Sequence, residues 1–345
     1  MTSQHSHRKD EHVSLAEKFY QPTDDSFRDV RFVNASLPKY DLNDIDLTTH
    51  IGPLSLATPF YIEAMSGGSQ STKEINRRLA MVAKTCDLAM AVGSQSVGLS
   101  DPSVSDSFEI VREMNPAGII LANIGANHGV EDAKKAVEMI AADALELHVN
   151  VAQELVMPEG DRAFNFINNI QQIVSALDVP VIVKEVGFGM SQATISQLID
   201  LGVKYINVGG HGGTNFAAIE NFRRPAKDMA YLSDWGLSTV ESLLEAHSFS
   251  RQVDLIAAGG VKSPLDVAKC LALGASAVGV AAYWLHDIIH QSSDDQIIND
   301  VKEWQYGLKA IMLMLNCRTI TDLQQQRLVL DPELLSYLNQ RKLTY

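Results

Sequence analysis

Short, unbroken apolar runs recur along this chain, separated by stretches whose apolar residues fall three or four apart. The runs occupy 59–65, 88–94, 118–125, 144–150, 180–187, 205–210, 254–260 and 277–282. They are continuous rather than alternating, the signature of strands buried on both faces in a parallel sheet covered by helices. Between them, 71–86, 130–142, 164–177, 190–202 and 263–274 have helical spacing. The last of these has Pro264 in its first turn and Gly274 just past its end, a common start and stop for a helix. Eight strand–helix repeats predict an α/β fold, a (β/α)8 TIM barrel. A doubly wound open sheet fits less well, because no GxGxxG follows the first run. No Ser/Gly-rich, Pro-rich or like-charge tract divides the chain. A single domain over 1–345 is therefore expected, with an N-terminal tail (1–58) leading into the barrel. After strand six the spacing stretches. The insert at 209–236, rich in glycine, aromatics and charge, is expected to hang over the C-terminal face of the barrel.

Residues at the C-terminal ends of barrel strands are active-site candidates. Strand one ends in Met65 and Ser66, strand two in Ser94, and strand three offers Asn123. Strand four brings His148, Asn150, Gln153 and Glu154, strand five Lys184, and strand six Thr214. Strand seven gives Gly259, Gly260 and Val261, and strand eight Ala281 and Ala282. Glycines and small residues after strands seven and eight, next to a helix start, form the usual phosphate seat of such barrels, although glycine also simply makes tight turns. Lys184 interrupts an apolar strand and cannot be buried bare. A cofactor ring, a phosphate or Glu185 would each partner it. Ser66, Ser94, Asn123 and Thr214 add neutral donors and acceptors that suit the polar edge of a flat heteroaromatic ring. A flavin mononucleotide across the mouth fits this set, and so would another nucleotide phosphate.

Composition narrows the classes. The chain has 345 residues, 46% of them hydrophobic, enough for a large core, and a formal net charge of −14. That balance argues against nucleic acid as a partner. No apolar run approaches the ~20 residues that cross a bilayer, and the segment 1–12 has no apolar signal core. A cytoplasmic protein with no membrane partner is expected. Cys86, Cys270 and Cys317 form no CxxC pair and read as packing thiols in helix-like stretches, as in a reducing compartment. Against the acidic background, RKDEH at 8–12 is a basic cluster, in which Arg8, Lys9 and His12 could clamp a diphosphate. The same five residues could equally be a solvated end. In HVNVAQE (148–154), Glu154 could hold Mg²⁺ against phosphate oxygens.

Taken together, RKDEH, PFYIEAMSGG, GSQS, HVNVAQE with MPEGDRAF, KEVGFG, GGTNFAAIE with NFRR, DWGLST and AAGGVKS make the chain similar, over essentially its whole length, to the type 2 isopentenyl-diphosphate isomerases. The combination of RKxEH, HxNxxQE and GGTNF in this order is specific, whereas the glycine motif after strand seven is shared by many FMN barrels. The resemblance implies an FMN barrel that uses reduced flavin and Mg²⁺, with NADPH or NADH as reductant. It implies Arg8, Lys9, His12, Ser94 and Gln153 at the substrate, His148, Asn150 and Gln153 in catalysis, and Glu154 on the metal. The FMN pocket would comprise Ala64, Met65, Ser66, Ser94, Asn123, Lys184, Thr214, Gly259, Gly260, Val261, Ala281 and Ala282. A homo-oligomer is also expected. The chain departs from the family pattern in three places. Ser66 stands where threonine is more usual, and Gly209 and His211 stand where a common form reads SGRGGT. Those two put a hydroxyl contact and a charge contact in question.

Three other readings compete on the residues alone. A 2-hydroxyacid oxidase would use His211 as base but needs an arginine beside it, where Gly212 and Gly213 stand. A chemistry like that of IMP dehydrogenase needs a loop cysteine. Outside enzymes, a flavin-binding sensor barrel would not need RKxEH and HxNxxQE together.

Overall fold

The structure is a computed structural model describing residues 4–21, 26–290 and 293–345. Eight parallel strands close into a barrel: β1 (Phe60–Ile62), β2 (Met90–Ala91), β3 (Ile120–Gly125), β4 (Ala144–Val149), β5 (Val181–Glu185), β6 (Tyr205–Asn207), β7 (Asp254–Ala258) and β8 (Ala277–Val280). The ring is sealed where β8 pairs with β1, Val278 opposite Phe60. Successive side chains point to opposite faces of a strand, and the packing follows. Tyr61, Ala91, Leu121, Ala144, Ile182, Ile256 and Ala277 fill the barrel interior. Phe60, Ile62, Met90, Ile120, Leu145, Val183 and Val278 pack outward in the shell between strands and helices. Burial on both sides is why the runs read as continuous.

All five expected helices are present: α2 (Gln70–Cys86), α3 (Val130–Met139), α5 (Phe166–Ala176), α6 (Gln192–Asp200) and α8 (Pro264–Ala272). The first is capped by Ser69, which accepts from the Thr72 amide, and ends at Asp87 in the left-handed region. The second stops short of 142, because Ala141 also has positive φ (44°). A hairpin, Thr49–Ile51 with Leu54–Leu56, plugs the bottom, where Ile51 and Leu56 join the interior cluster and the Gly52 amide donates to Asp254 at the start of β7.

Three expectations need correction. The N-terminal segment is no simple tail: Gln4–Lys18 forms a helix, α1, lying across the mouth against α2, α7 (Phe216–Arg223) and α9 (Ala282–His290). HVNVAQE changes from strand to helix partway, since β4 ends at Val149 and α4 (Val151–Val156) begins just after Asn150. Cys317 lies in the link just past a turn, not in a helix, because Asn316 at φ 56° lies beyond the end of the long α10 (Asp294–Met314). All three cysteines are buried and free. Among the described residues no helix is long and apolar enough to cross a membrane.

Candidate active site

A cavity of about 650 Å³ opens at the C-terminal ends of the strands, under α1. That is within the ~300–1,000 Å³ of cofactor and ligand sites. Every residue singled out in the sequence for cofactor, substrate or metal lines it. On one side stand Gly259, Gly260, Val261, Ala281 and Ala282, where α9 begins with its first turn facing the cavity. First-turn N–H groups have no partner within their own helix and attract anions. The small side chains at 281 and 282 leave that helix end accessible, so the region fits a phosphate group. Gly259 (φ 106°) and Gly260 (φ 74°) are also demanded by the backbone: a Cβ on Gly259 would run into the Gly210 carbonyl. Ala64, Met65, Ser66, Ser94, Asn123 and Thr214 continue the lining around the barrel mouth. Ser66 donates its hydroxyl hydrogen to Asn76 (2.7 Å), which leaves the oxygen only as an acceptor. A flat aromatic cofactor with a terminal phosphate fits this arrangement.

Lys184 sits on the cavity floor, buried, and is not bare. Its Nζ donates to Glu63 Oε1 (2.6 Å), just after β1, and to Glu146 Oε2 (3.1 Å), on β4. Glu185, the partner considered from the sequence, turns away and accepts from the amides of Val186, Gly187 and Phe188. Glu63 also accepts from the Ala64 amide (2.8 Å), the Tyr61 hydroxyl (2.9 Å) and Asn207 (2.7 Å). Burial works against each charge. For Glu63, the Lys184 ammonium and this shell of donors outweigh burial and hold the carboxyl well below its usual range. For Lys184, burial alone would lower the pKa, and the two carboxylates raise it instead. Burial, reinforced by Glu63, pushes Glu146 up toward the neutral acid. Glu63, Glu146, Tyr61 and Asn207 were missed in the sequence. The signal was present: each carboxylate interrupts an apolar run, as Lys184 does.

At the rim, His148 Nδ1 lies 2.7 Å from Asn123 Oδ1, and Asn123 Nδ2 faces Glu146 (3.4 Å). The Asn123 oxygen is thus turned to the ring, so Nδ1 holds the proton and Nε2 presents a lone pair. Burial, followed by the nearby Lys184 and Lys9 charges, pushes His148 down to about 3 and keeps it neutral. Asn150 donates to Glu154 Oε1 (2.9 Å) and, at 3.4 Å, to Gln153 Oε1. Glu154 Oε2 accepts from the Asp161 amide (2.7 Å). The Glu154 carboxylate is therefore held in place at the rim with acceptor capacity left, and oxygen ligands of this kind suit Mg²⁺.

The basic residues of α1 face this rim. Lys9 donates to the Ser94 carbonyl (3.1 Å), and burial, then Arg8, lowers its pKa to about 8. The organising group is Glu220 on α7, which is fully buried. It meets His12 (3.0 Å), Gln153 (3.3 Å) and Arg223 (2.6 Å). Burial would raise its pKa, but His12 and Arg223 bring it below the ordinary value. Arg223 extends the network to Glu11 (2.9 Å) and Glu159 (2.6 Å), and so ties α1 to the barrel. Neither Glu220 nor Arg223 was singled out individually from the sequence, where both lay inside the charged, glycine- and aromatic-rich insert at 209–236. Gly209 has a backbone reason: at φ 44° a Cβ would strike the Glu185 carbonyl, so serine would not fit here. His211 lines the cavity, with its amide bonded to the Leu237 carbonyl.

Comparison with known proteins agrees with this geometry. The profile of the FMN-dependent dehydrogenase family matches residues 107–330. The isopentenyl-diphosphate delta-isomerase of Latilactobacillus sakei is 51% identical over 340 residues, covering 98% of this chain and 97% of that protein. The isopentenyl-diphosphate delta-isomerase of Staphylococcus aureus strain Newman is 48% identical, covering 99% and 97%. Among solved structures, a mandelate oxidase variant with an FMN adduct superposes at TM-score 0.64 and 17% identity, covering 93% and 92%. A flavocytochrome b2 variant superposes at 0.67 and 16%, covering 92% and 82%. These distant likenesses show the barrel alone, whereas the full-length identities reach further: the chain is an enzyme of the isopentenyl-diphosphate delta-isomerase family, built on the FMN-dependent dehydrogenase barrel.

Proposed function

We propose that this enzyme interconverts isopentenyl and dimethylallyl diphosphate, using reduced FMN and Mg²⁺, with NADPH or NADH supplying the electrons that activate the flavin. The observation behind this reading is the division of one cavity. A helix-end phosphate seat at Gly259, Gly260, Ala281 and Ala282 lies at one part of the mouth, and Arg8, Lys9 and His12 lie with the Glu154 carboxylate at another. Two separate anionic groups, one on the cofactor and one on the substrate, suit that layout.

The reaction adds a proton at one carbon and removes another nearby, with no net redox change. Bound reduced FMN would supply the acid and a flat ring against the cationic carbon. The chain's own residues do the rest. Arg8, Lys9 and His12 hold the diphosphate, with Glu154 presenting Mg²⁺ to its oxygens. His148, kept neutral with its lone pair on Nε2, and Asn150 orient the same end of the substrate. Gln153, its oxygen toward Asn150 and its nitrogen toward Glu220, places an amide where a proton can be held beside the alkene. α1 covers the cavity and excludes water from the cation. Much of the catalysis is then positioning. We place the enzyme in the cytoplasm as a homo-oligomer. Incubation with isopentenyl diphosphate, reduced FMN and Mg²⁺ should yield dimethylallyl diphosphate. A flavin-loaded protein that leaves the substrate unchanged would overturn the reading.

A further inference from the structure

Outside the cavity, one group of side chains has no part in the chemistry above. Glu17, near the end of α1, reaches α9, where His286 and His290 stand four residues apart and so share a helix face. Glu17 Oε1 lies 2.9 Å from His286 Nδ1 and 2.8 Å from His290 Nε2. One ligand atom from each residue falls within 4.8 Å of the others, and among the described residues no other histidine, cysteine or carboxylate group of three does so.

We propose that Glu17, His286 and His290 bind a divalent transition metal of the Zn²⁺ class, which clamps α1 onto α9 beside the mouth of the cavity. Two imidazoles and one carboxylate are a frequent three-ligand set for Zn²⁺ that leaves a fourth position for water, and Mg²⁺ or Ca²⁺ would not select the nitrogens. Metal–ligand distances near 2.1 Å in a tetrahedral site put ligand atoms roughly 3.3 Å apart. The observed nitrogen–oxygen separations need to open by only about half an ångström to admit an ion. Tyr20 stacks on the His286 ring at 4.5 Å between centroids, which fixes its orientation. Side-chain exposures of 23% for Glu17, 35% for His286 and 55% for His290 leave an entry path and room for a water ligand. Because α1 also presents Arg8, Lys9 and His12 to the cavity, an ion here would hold that helix in its closed position.

The test is titration of Zn²⁺ into full-length, FMN-loaded protein held at saturating Mg²⁺, followed by calorimetry and by thermal unfolding. One Zn²⁺ per chain should bind and raise the unfolding temperature. His290→Gln, an exposed position where the fold does not depend on the ring, should weaken that binding by about tenfold or more. The double variant His286→Gln/His290→Gln should abolish the Zn²⁺-dependent rise. Equal uptake and equal stabilisation in the wild type and both variants would overturn the proposal, and so would a wild type that takes up no Zn²⁺.

Discussion

The Lys184 ammonium and the Glu63 carboxylate meet at 2.6 Å on the floor of the barrel, each with no access to water sufficient to solvate it alone. Breaking such a pair from one side leaves an uncompensated buried charge, at a cost of about 3–5 kcal/mol. Lys184→Met should therefore lower the unfolding temperature sharply, and adding Glu63→Gln should recover much of the loss. If Lys184 also favours the reduced, anionic flavin, the flavin midpoint potential should stay depressed in the double variant. A midpoint that returns to the wild-type value with stability would assign Lys184 a purely structural part.

Lys9 makes a second, pH-dependent prediction. Its pKa is lowered to about 8 in the protein, first by burial and then by Arg8. The ammonium that would hold the diphosphate is thus present below that pH and lost as pH rises through it. Accordingly kcat/KM, which reports the free enzyme, should fall above about pH 8. Lys9→Arg keeps its charge at alkaline pH and should abolish that limb. A fall that persists in Lys9→Arg would place the titration on another group.

Much of this site could be read before folding, for a definite physical reason. Continuous apolar runs located the strands, and a barrel converts strand ends into one rim. Met65, Asn123, Lys184, Gly259 and Ala281, far apart in sequence, therefore line a single cavity. What stayed hidden were partnerships across the barrel. Alternation along β5 turns Lys184 and its neighbour Glu185 to opposite faces, but nothing local says that the carboxylates meeting Lys184 are Glu63, beyond β1, and Glu146, on β4. Glu220 and Arg223 lie on the insert after β6, legible only as rich in glycine, aromatics and charge, and their partners His12, Gln153 and Glu11 are remote in the chain. RKDEH was legible as a basic cluster, but its order depends on Arg223 reaching Glu11, a contact between residues 212 positions apart.

That contact is itself testable. Arg223→Ala removes the link from α7 to Glu11 and Glu159 and should loosen α1 over the mouth. KM for the diphosphate should rise by about tenfold or more, corresponding to ~1.4 kcal/mol or more, with a smaller change in flavin affinity. Removing residues 1–12 should do the same. Unaltered kinetics in the truncated protein would show that α1 does not act in substrate binding.

Gln153 and Glu154 are neighbours with separable parts. Glu154→Gln should raise the Mg²⁺ concentration needed for half-maximal activity, and added Mg²⁺ should partly restore it. Gln153→Ala should leave that Mg²⁺ dependence unchanged and lower kcat, since it would remove an interaction made mainly in the transition state. Equal shifts in Mg²⁺ dependence for both variants would contradict this division.

The central claim is proton addition and elimination with no net redox change. It is tested most directly by running the reaction anaerobically in D₂O with reduced FMN, Mg²⁺ and isopentenyl diphosphate, while following product by NMR and the flavin by absorbance. The account predicts dimethylallyl diphosphate with deuterium in the newly formed methyl group and a flavin spectrum that is the same at the end as at the start. Product free of deuterium, or turnover that oxidises one flavin for each substrate consumed, would contradict it.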